Sequence, residues 1–491
     1  MSFGPRPLPD EYPAEYAQRV GEWYASWNKP DKALGQFFTP LTVARFMAGL
    51  VTRESGFTRV LDAGAGLGIL SCAVCEALEG DIALEAYEVD GAMADALETT
   101  LAYAQQWMDA CGRRLTYRVI RQDFILTHGE ALVRPTAAPF DLVIANPPYF
   151  KLSRTDARAR AAEAVVHGQP NIYALFMAVG AALLREGGQA VFITPRSYAA
   201  GPYFSRFRAD FFSRMRPRVL HLFESRQEVF ADVLQESLIL AAECSSEDQE
   251  VLLSSSTSFA FSDVTRRIKP LAEVLGADNV LHLPLSEQDD AVAKIVRSWN
   301  GRLADYGMAV STGPVVAFRA ADLIDSHGDV PVSHAPLLWM QNVKPMRCAW
   351  PVRHRGQYIQ LRSADKVLLP NQNYVLLRRF SAKEERQRLV AAPYLGDLDG
   401  AVIGLENHLN YIYRPGGRLS EDEVRGLAVL LNSSLMDAYF RIFSGHTQVN
   451  ATEIRRLPLP PLEAIMELGR LAADSPAPSD ALMAEALGLY A

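Results

Sequence analysis

Cysteine is scarce in this chain, five in 491 residues, too few for a disulfide framework. Cys72 and Cys75 make one C-x-x-C. No second pair stands at zinc-site spacing, so they read as two small residues on a helix face. Long apolar runs are missing too. The nearest, 171–184, ends at Arg185 after 14 residues, short of the ~18 that cross a bilayer. The opening MSFGPRPLPDEYPAEY is polar and proline-rich, with no apolar core for a signal peptide. A cytoplasmic protein without a membrane partner is expected. Lysine is also rare, 8 against 41 arginines. None of the eight has Asp or Glu two positions before it, so the acid-x-Lys ending of the common metal-dependent nuclease site is lacking. No metal site is expected.

What is present is an ordinary globular composition, 49% hydrophobic and 22% charged, with enough length for two to four domains. The net charge of −8 argues against a polyanionic partner, but the charge is uneven. Residues 340–390 hold 11 basic against 3 acidic side chains, whereas residues 1–150 hold 12 against 19. Binding of a polyanion depends on the local field rather than on the total. Arginine suits phosphates and guanine edges, and a GC-rich genome would favour it equally.

Strands alternate with helices from Thr58 to Cys244. The predicted strands are 58–63, 82–89, 115–120, 141–145, 189–194, 219–223 and 235–242. The predicted helices are 69–79, 92–110, 171–185 and 203–215, preceded by an N-terminal arm with one helix. This alternation predicts an α/β fold with a largely parallel sheet covered on both faces. Seven serines in 245–262 read as a linker. The domain reading is therefore a catalytic domain over 1–245, a linker over 246–262, a second α+β domain over 263–455 with a helix at 421–443, and a tail over 456–491.

Asp62-Ala63-Gly64-Ala65-Gly66-Leu67-Gly68 follows a strand and opens a helix. Glycines there let the backbone turn tightly and come close to a ligand. The spacing is G-x-G-x-G, not the G-x-G-x-x-G of pyrophosphate-binding folds. Glu88 ends the next strand, where a carboxylate can accept both hydroxyls of a ribose. Asp123-Phe124 ends the third, where an acid beside an aromatic can hold an adenine. Together they fit an adenosine ligand without a pyrophosphate, and S-adenosylmethionine is the cofactor expected.

Asn146-Pro147-Pro148-Tyr149 lies past the strand 141–145, at the edge where parallel sheets bind ligands. The two prolines fix the backbone and supply carbonyls without a competing N–H. The adenine amine is a poor nucleophile because its lone pair is delocalised into the ring. The Asn146 side-chain oxygen and the Pro147 carbonyl can each accept one amine hydrogen, which frees the lone pair for attack on a sulfonium methyl. Positioning and oriented dipoles suffice for such a step.

These motifs resemble the gamma-class, TaqI-like adenine-N6 DNA methyltransferases, and segments such as Gly168–Tyr173 and Phe223–Arg226 are similar to the PstI/XhoI-like modification methylases. The order is that of the class: Gly35-Gln36-Phe37-Phe38-Thr39-Pro40, the glycine turn, Asn-Pro-Pro-Tyr, then a separate C-terminal domain. The resemblance implies a Rossmann-like methyltransferase sheet with a target-recognition domain, and site-specific methylation of double-stranded DNA within a type II restriction–modification system. It places Phe38, Thr39 and Pro40 over the methionine part of the cofactor, with Asp62, Gly64, Gly66, Gly68, Glu88, Asp123 and Phe124 completing that site. Tyr149 and Phe230 would stack on an adenine flipped out of the duplex, and Asn171-Ile172-Tyr173 would line the pocket or serve as helix core. Lys344, Arg347, Arg353, Arg355, Arg378 and Arg379 are candidates for DNA contacts, and the polar loop 444–450 is expected near the DNA. A monomer is expected, with any cognate restriction endonuclease on another chain. Two other readings stay open: a methyltransferase of this motif acting on RNA or on a protein glutamine, and an inactive DNA-binding protein.

Overall fold

The structure is a computed structural model that describes residues 4–28, 38–52, 56–134, 138–224, 236–247, 249–276, 278–325, 334–353, 356–361, 366–381, 385–445, 448–474 and 479–488. The chain divides into two compact units, Met1–Leu285 and Ser286–Ala491. No helix among the described residues is long and apolar enough to cross a membrane.

The first unit opens with two helices where one was expected, α1 (Pro13–Trp27) and α2 (Leu41–Gly49). Then follow β1 (Thr58–Ala63), α3 (Ile69–Ala77), β2 (Ile82–Tyr87), α4 (Gly91–Ala110), β3 (Leu115–Ile120), α5 (Phe124–His128), β4 (Phe140–Ala145), α6 (Ala157–Ala161), α7 (Ile172–Ala182), β5 (Leu184–Pro195), α8 (Ser205–Arg214), β6 (Met215–Phe223) and β7 (Ser237–Cys244). Two more strands, β8 (Glu250–Ser256) and β9 (Thr265–Pro270), complete one nine-stranded sheet of order β3-β2-β1-β4-β5-β7-β6-β8-β9. The strands β1 to β5 run parallel, and β7 inserts antiparallel between β5 and β6. This is the Rossmann-like methyltransferase sheet.

All six residues of β4, Phe-Asp-Leu-Val-Ile-Ala, are buried, as a strand covered on both faces requires. Leu142 and Ile144 pack in the layer with Val43, Met47, Leu70 and Leu97. Val143 and Ala145 face the opposite layer, with Phe176, Val179, Phe207 and Phe211. The helix α7 is apolar on every side and buried from Ile172 to Ala181.

The serine-rich stretch is a correction to the expected linker. Its core is β8, a strand inside the sheet. Serine is common in turns, so its frequency misleads here. Ser254 and Ser256 instead partner His221 of β6, which is fully buried: Nδ1 lies 2.9 Å from Ser254 Oγ and Nε2 lies 3.1 Å from Ser256 Oγ. Burial, helped by Arg266, lowers the His221 pKa from its ordinary value to about 4. Between about pH 4 and 6.5 the unfolded state then binds a proton that the native state refuses, so stability falls as pH falls across that window. The expected loss is roughly 2–3 kcal/mol. His221→Gln should show a correspondingly shallower decline in denaturant midpoint between pH 7 and 4.5; a decline as steep as that of the parent protein would refute the buried neutral imidazole.

The second unit is α+β. It has a four-stranded antiparallel sheet of order Ala309–Thr312, Leu409–Tyr413, Asn373–Arg378 and Ala391–Leu395. A five-stranded sheet runs in the order Ile324–Asp325, Tyr358–Gln360, His334–Leu338, Val402–Leu405 and Leu368–Pro370. The single helix expected at 421–443 is two, Glu421–Asn432 and Ser434–Phe443. Ser433 is extended (φ −69°, ψ 149°) and caps the second through its side chain, which accepts from the Met436 N–H. The expected tail is helical as well, over Leu462–Asp474 and Ser479–Leu487. Leu462–Asp474 crosses Glu421–Asn432 at two glycines: a Cβ on Gly426 would lie 1.8 Å from the Ile465 carbonyl oxygen, and one on Gly469 1.9 Å from that of Asp422.

Candidate active site

Strand order reverses between β1 and β4, and the crevice outside the carboxyl ends of the strands at such a point is where open α/β sheets bind ligands. A cavity of about 620 Å³ occupies it, walled by the segments that follow β1, β2, β3 and β4, by Phe38, Thr39 and Pro40, and by the face of α1 that carries Ala17 and Gly21.

The turn after β1 needs its glycines. Gly64, Gly66 and Gly68 take φ of 78°, 58° and 87°, in the left-handed region. Gly64 and Gly66 line the cavity. Gly68 lies behind it, where a Cβ would come within 2.7 Å of Leu97 Cδ1, so its task is the close packing of α3 on α4. Asp62 also stands behind the turn. It is fully buried and accepts from the Ser71 hydroxyl at 2.6 Å. Burial raises its carboxyl pKa to about 7. The side chain supports the turn and is not a cavity wall.

Glu88 faces the cavity just past β2. Its Oε2 accepts from Gly66 N–H at 3.0 Å and its Oε1 from Asp90 N–H at 2.8 Å. Burial nonetheless holds its pKa above the ordinary glutamate value. Two backbone donors leave lone pairs on both oxygens for a further donor. Past β3, Asp123 caps α5 by accepting from Leu126 N–H at 3.0 Å, and Phe124 packs edge-on against Tyr87, ring centroids 5.4 Å apart. Both line the cavity.

Past β4, Asn146 and Pro148 line the cavity, while Pro147 is buried beside them. The Asn146 amide is held at both ends. Its Nδ2 donates to Thr39 Oγ1 at 3.0 Å, and its Oδ1 accepts a short hydrogen bond from the Tyr149 hydroxyl. That hydroxyl also lies 3.0 Å from the Ile193 carbonyl oxygen of β5. The Tyr149 ring is not a wall of this cavity; it meets Tyr173 edge-on at 6.2 Å. Burial pushes the Tyr149 phenol far above its ordinary pKa, so it remains a donor at neutral pH.

Several walls escaped the sequence reading. The helix α1 was one. Phe176, one turn after Ile172 on α7, was another; both face the cavity, as the i, i+4 spacing on one helix face allows. Tyr173 is fully buried and shares a hydrogen bond with Ser197 Oγ, so its part is in the core. Phe150, with Arg158 over its ring at 5.5 Å, completes the rim.

In the second unit, Lys344 and Arg347 pair across a two-stranded hairpin and are exposed, as is Arg353. Arg378 and Arg379 are tied to backbone, Arg378 Nε to the Val343 carbonyl at 2.8 Å and Arg379 Nη1 to that of Asn407 at 3.0 Å. Phe230, Arg355, Gly35, Gln36, Phe37, His446 and Thr447 lie outside the described residues.

Residues 102–230 match the family described as Eco57I restriction-modification methylase. The chain is 32% identical over 462 residues to the Type II methyltransferase M.BsuBI of Bacillus subtilis, covering 90% of each chain. It is 32% identical over 458 residues to the Type II methyltransferase M.PstI of Providencia stuartii, covering 89% of this chain and 88% of that one. Among solved structures, the Type IIL restriction-modification enzyme MmeI in complex with DNA is similar in fold, at a TM-score of 0.54 and 12% identity, with 94% of this chain and 70% of that one covered. With such likeness along nine-tenths of two relatives, the chain belongs to the type II methyltransferases of restriction–modification systems.

Proposed function

We propose that this methyltransferase acts on double-stranded DNA and transfers methyl from S-adenosylmethionine to the N6 amine of an adenine in a specific site. The observation that carries this reading is the Asn146 amide, held by Thr39 and Tyr149 at the wall of the cavity that Glu88 and the glycine turn also form. The residues fit the cofactor: an acid with spare lone pairs for two ribose hydroxyls, Asp123 and Phe124 for the adenine, and a backbone at Gly64 and Gly66 that leaves room for the methionine part. When bound, S-adenosylmethionine supplies an electrophilic methyl on a sulfonium.

The chain's own part is to prepare the nucleophile. Asn146 Oδ1 and the Pro147 carbonyl accept the two amine hydrogens, which draws the nitrogen toward tetrahedral geometry and frees its lone pair. No general base is needed to activate the amine, because fixed dipoles do this; the N–CH3 bond forms as the C–S bond breaks, its electron pair leaving with the thioether, and the methylated nitrogen then releases one proton to solvent. An adenine paired in a duplex cannot reach such a cavity, so the base must swing out, with Phe230 as the stacking partner. Lys344, Arg347, Arg353, Arg355, Arg378 and Arg379 are the candidates to meet DNA; among those described, Lys344, Arg347 and Arg353 are exposed, and Arg378 also braces the Val343 backbone beside Lys344. Cleavage would belong to a separate chain, and the enzyme would work as a monomer.

The test is transfer of labelled methyl from S-adenosylmethionine to unmodified plasmid DNA, followed by mapping of modified bases. N6-methyladenine at one short recurring motif is the expected result. Label on RNA or on a protein glutamine, with DNA unlabelled, would overturn the substrate assignment; no label on any of them would overturn the activity.

A further inference from the structure

The Thr39 hydroxyl does something its place beside the cofactor does not require. It accepts from Asn146 Nδ2 across 107 residues of sequence, at 3.0 Å, and is itself only 7% exposed. An asparagine amide has two ends of opposite polarity and nearly the same shape. Only Oδ1 can accept a hydrogen from an amine; a turned amide would set N–H against N–H. The orientation is therefore part of the catalytic geometry, and the Asn146 side chain has polar neighbours at both ends. Tyr149 directs its O–H at Oδ1, and Thr39 offers an oxygen to Nδ2. Thr39 is set by scaffold, just before α2, which Pro40 opens as N-cap, while the single Tyr149 hydroxyl proton is shared between Oδ1 and the Ile193 carbonyl of β5.

We infer that Thr39 is a positioning residue for methyl transfer, its hydroxyl holding the Asn146 amide with Oδ1 turned to the target amine, and not solely a wall of the cofactor cavity. The inference rests on the proposed amine methylation. It sets two jobs on one short segment: Phe38 and Pro40 shape the cavity, and Thr39 reaches past them to the catalytic amide. Without the hydroxyl, Nδ2 would face a methyl group in a largely buried place, and the amide would rotate to recover a partner. Misplacement of a group that must be oriented for reaction, by a loss outside the chemistry itself, costs up to about 100-fold in rate.

The experiment compares Thr39→Val and Thr39→Ser with the parent enzyme in two readouts. One is the single-turnover rate of methyl transfer to unmodified plasmid DNA at saturating S-adenosylmethionine. The other is the calorimetric Kd for S-adenosylmethionine. Thr39→Val keeps the shape and should slow transfer about 10- to 100-fold with Kd within about threefold of the parent. Thr39→Ser should restore the rate to within about threefold. If Thr39→Val does not fold, Thr39→Ala carries the same expectation. A weakened Kd with an unchanged saturated rate would return Thr39 to the cofactor alone, and a full rate in Thr39→Val or Thr39→Ala would overturn the inference. Failure of the amine-methylation reading would look different: the parent enzyme itself would leave DNA adenine unmethylated.

Discussion

Asn146→Ala loses methyl transfer by about 10³-fold or more, while its affinity for S-adenosylmethionine stays within a few-fold of the parent enzyme. On the proposed mechanism the loss is large because the side chain is one of two acceptors for the amine hydrogens, and Pro147 is left to do alone what two acceptors do together. Binding survives because the cavity's other groups come from different strands. Glu88 follows β2, Asp123 and Phe124 follow β3, and the glycine turn follows β1. Folding survives because Asn146 sits in a half-exposed loop and gives up about 1 kcal/mol per lost hydrogen bond. Stopped-flow or quenched single-turnover assays with calorimetry would separate the two effects. An alanine variant within tenfold of the parent rate would remove Asn146 from the chemistry.

Gly469→Val undocks the C-terminal helices of the second unit, Leu462–Asp474 and Ser479–Leu487. The new Cβ would stand 1.9 Å from the Asp422 carbonyl oxygen, and Gly426 meets Ile465 as tightly from the other side. Both obstacles are helix backbone, so no rotamer change relieves them and the two helices must part. Separation strips Ile465 and Leu468, both fully buried, of their cover. The expected cost exceeds about 4 kcal/mol, at the diagnostic end of single substitutions. For a unit of this size the melting temperature should fall by roughly 10 °C. Limited proteolysis should then release a fragment beginning near residue 457. A variant melting within about 2 °C of the parent would mean that the crossing is looser than the glycines require.

The catalytic half of the fold was legible because its physics is local. A strand such as 115–120 carries its own apolar pattern, and a glycine turn needs no distant partner to announce itself. Asn146, Glu88 and Asp123 could be picked out because each follows a strand, and alternation with helices puts those carboxyl ends at one ligand-binding edge of a parallel sheet. The misread parts depend on partners far away in sequence. Ser254 and Ser256 mean a strand only once His221 is known to lie opposite. The segment 456–491 reads as a tail until Gly426, far back in the sequence, is seen to seat the helix Leu462–Asp474. Asp62 reads as a ligand contact in sequence, yet Ser71 and burial draw it behind the turn. Thr39 lines the cavity as its motif implied, but its bond to Asn146 could not be read, because the two residues lie in motifs 107 positions apart. The bonds of Arg378 and Arg379 to backbone carbonyls were likewise invisible in a run of positive charge.

The closing of the sheet by β8 and β9 sets where such an enzyme can be cut and rejoined. A chimaera that borrows another relative's second unit has to be spliced at Leu285–Ser286. A splice at 245 or 262, where composition suggests a seam, would discard one or both edge strands. After a splice at 245, His221 would lose its serines and β6 would offer its unpaired edge to other chains, and after one at 262 that edge would be β8's. Exchange of second units between such chains is thus bounded by strand pairing in the first unit.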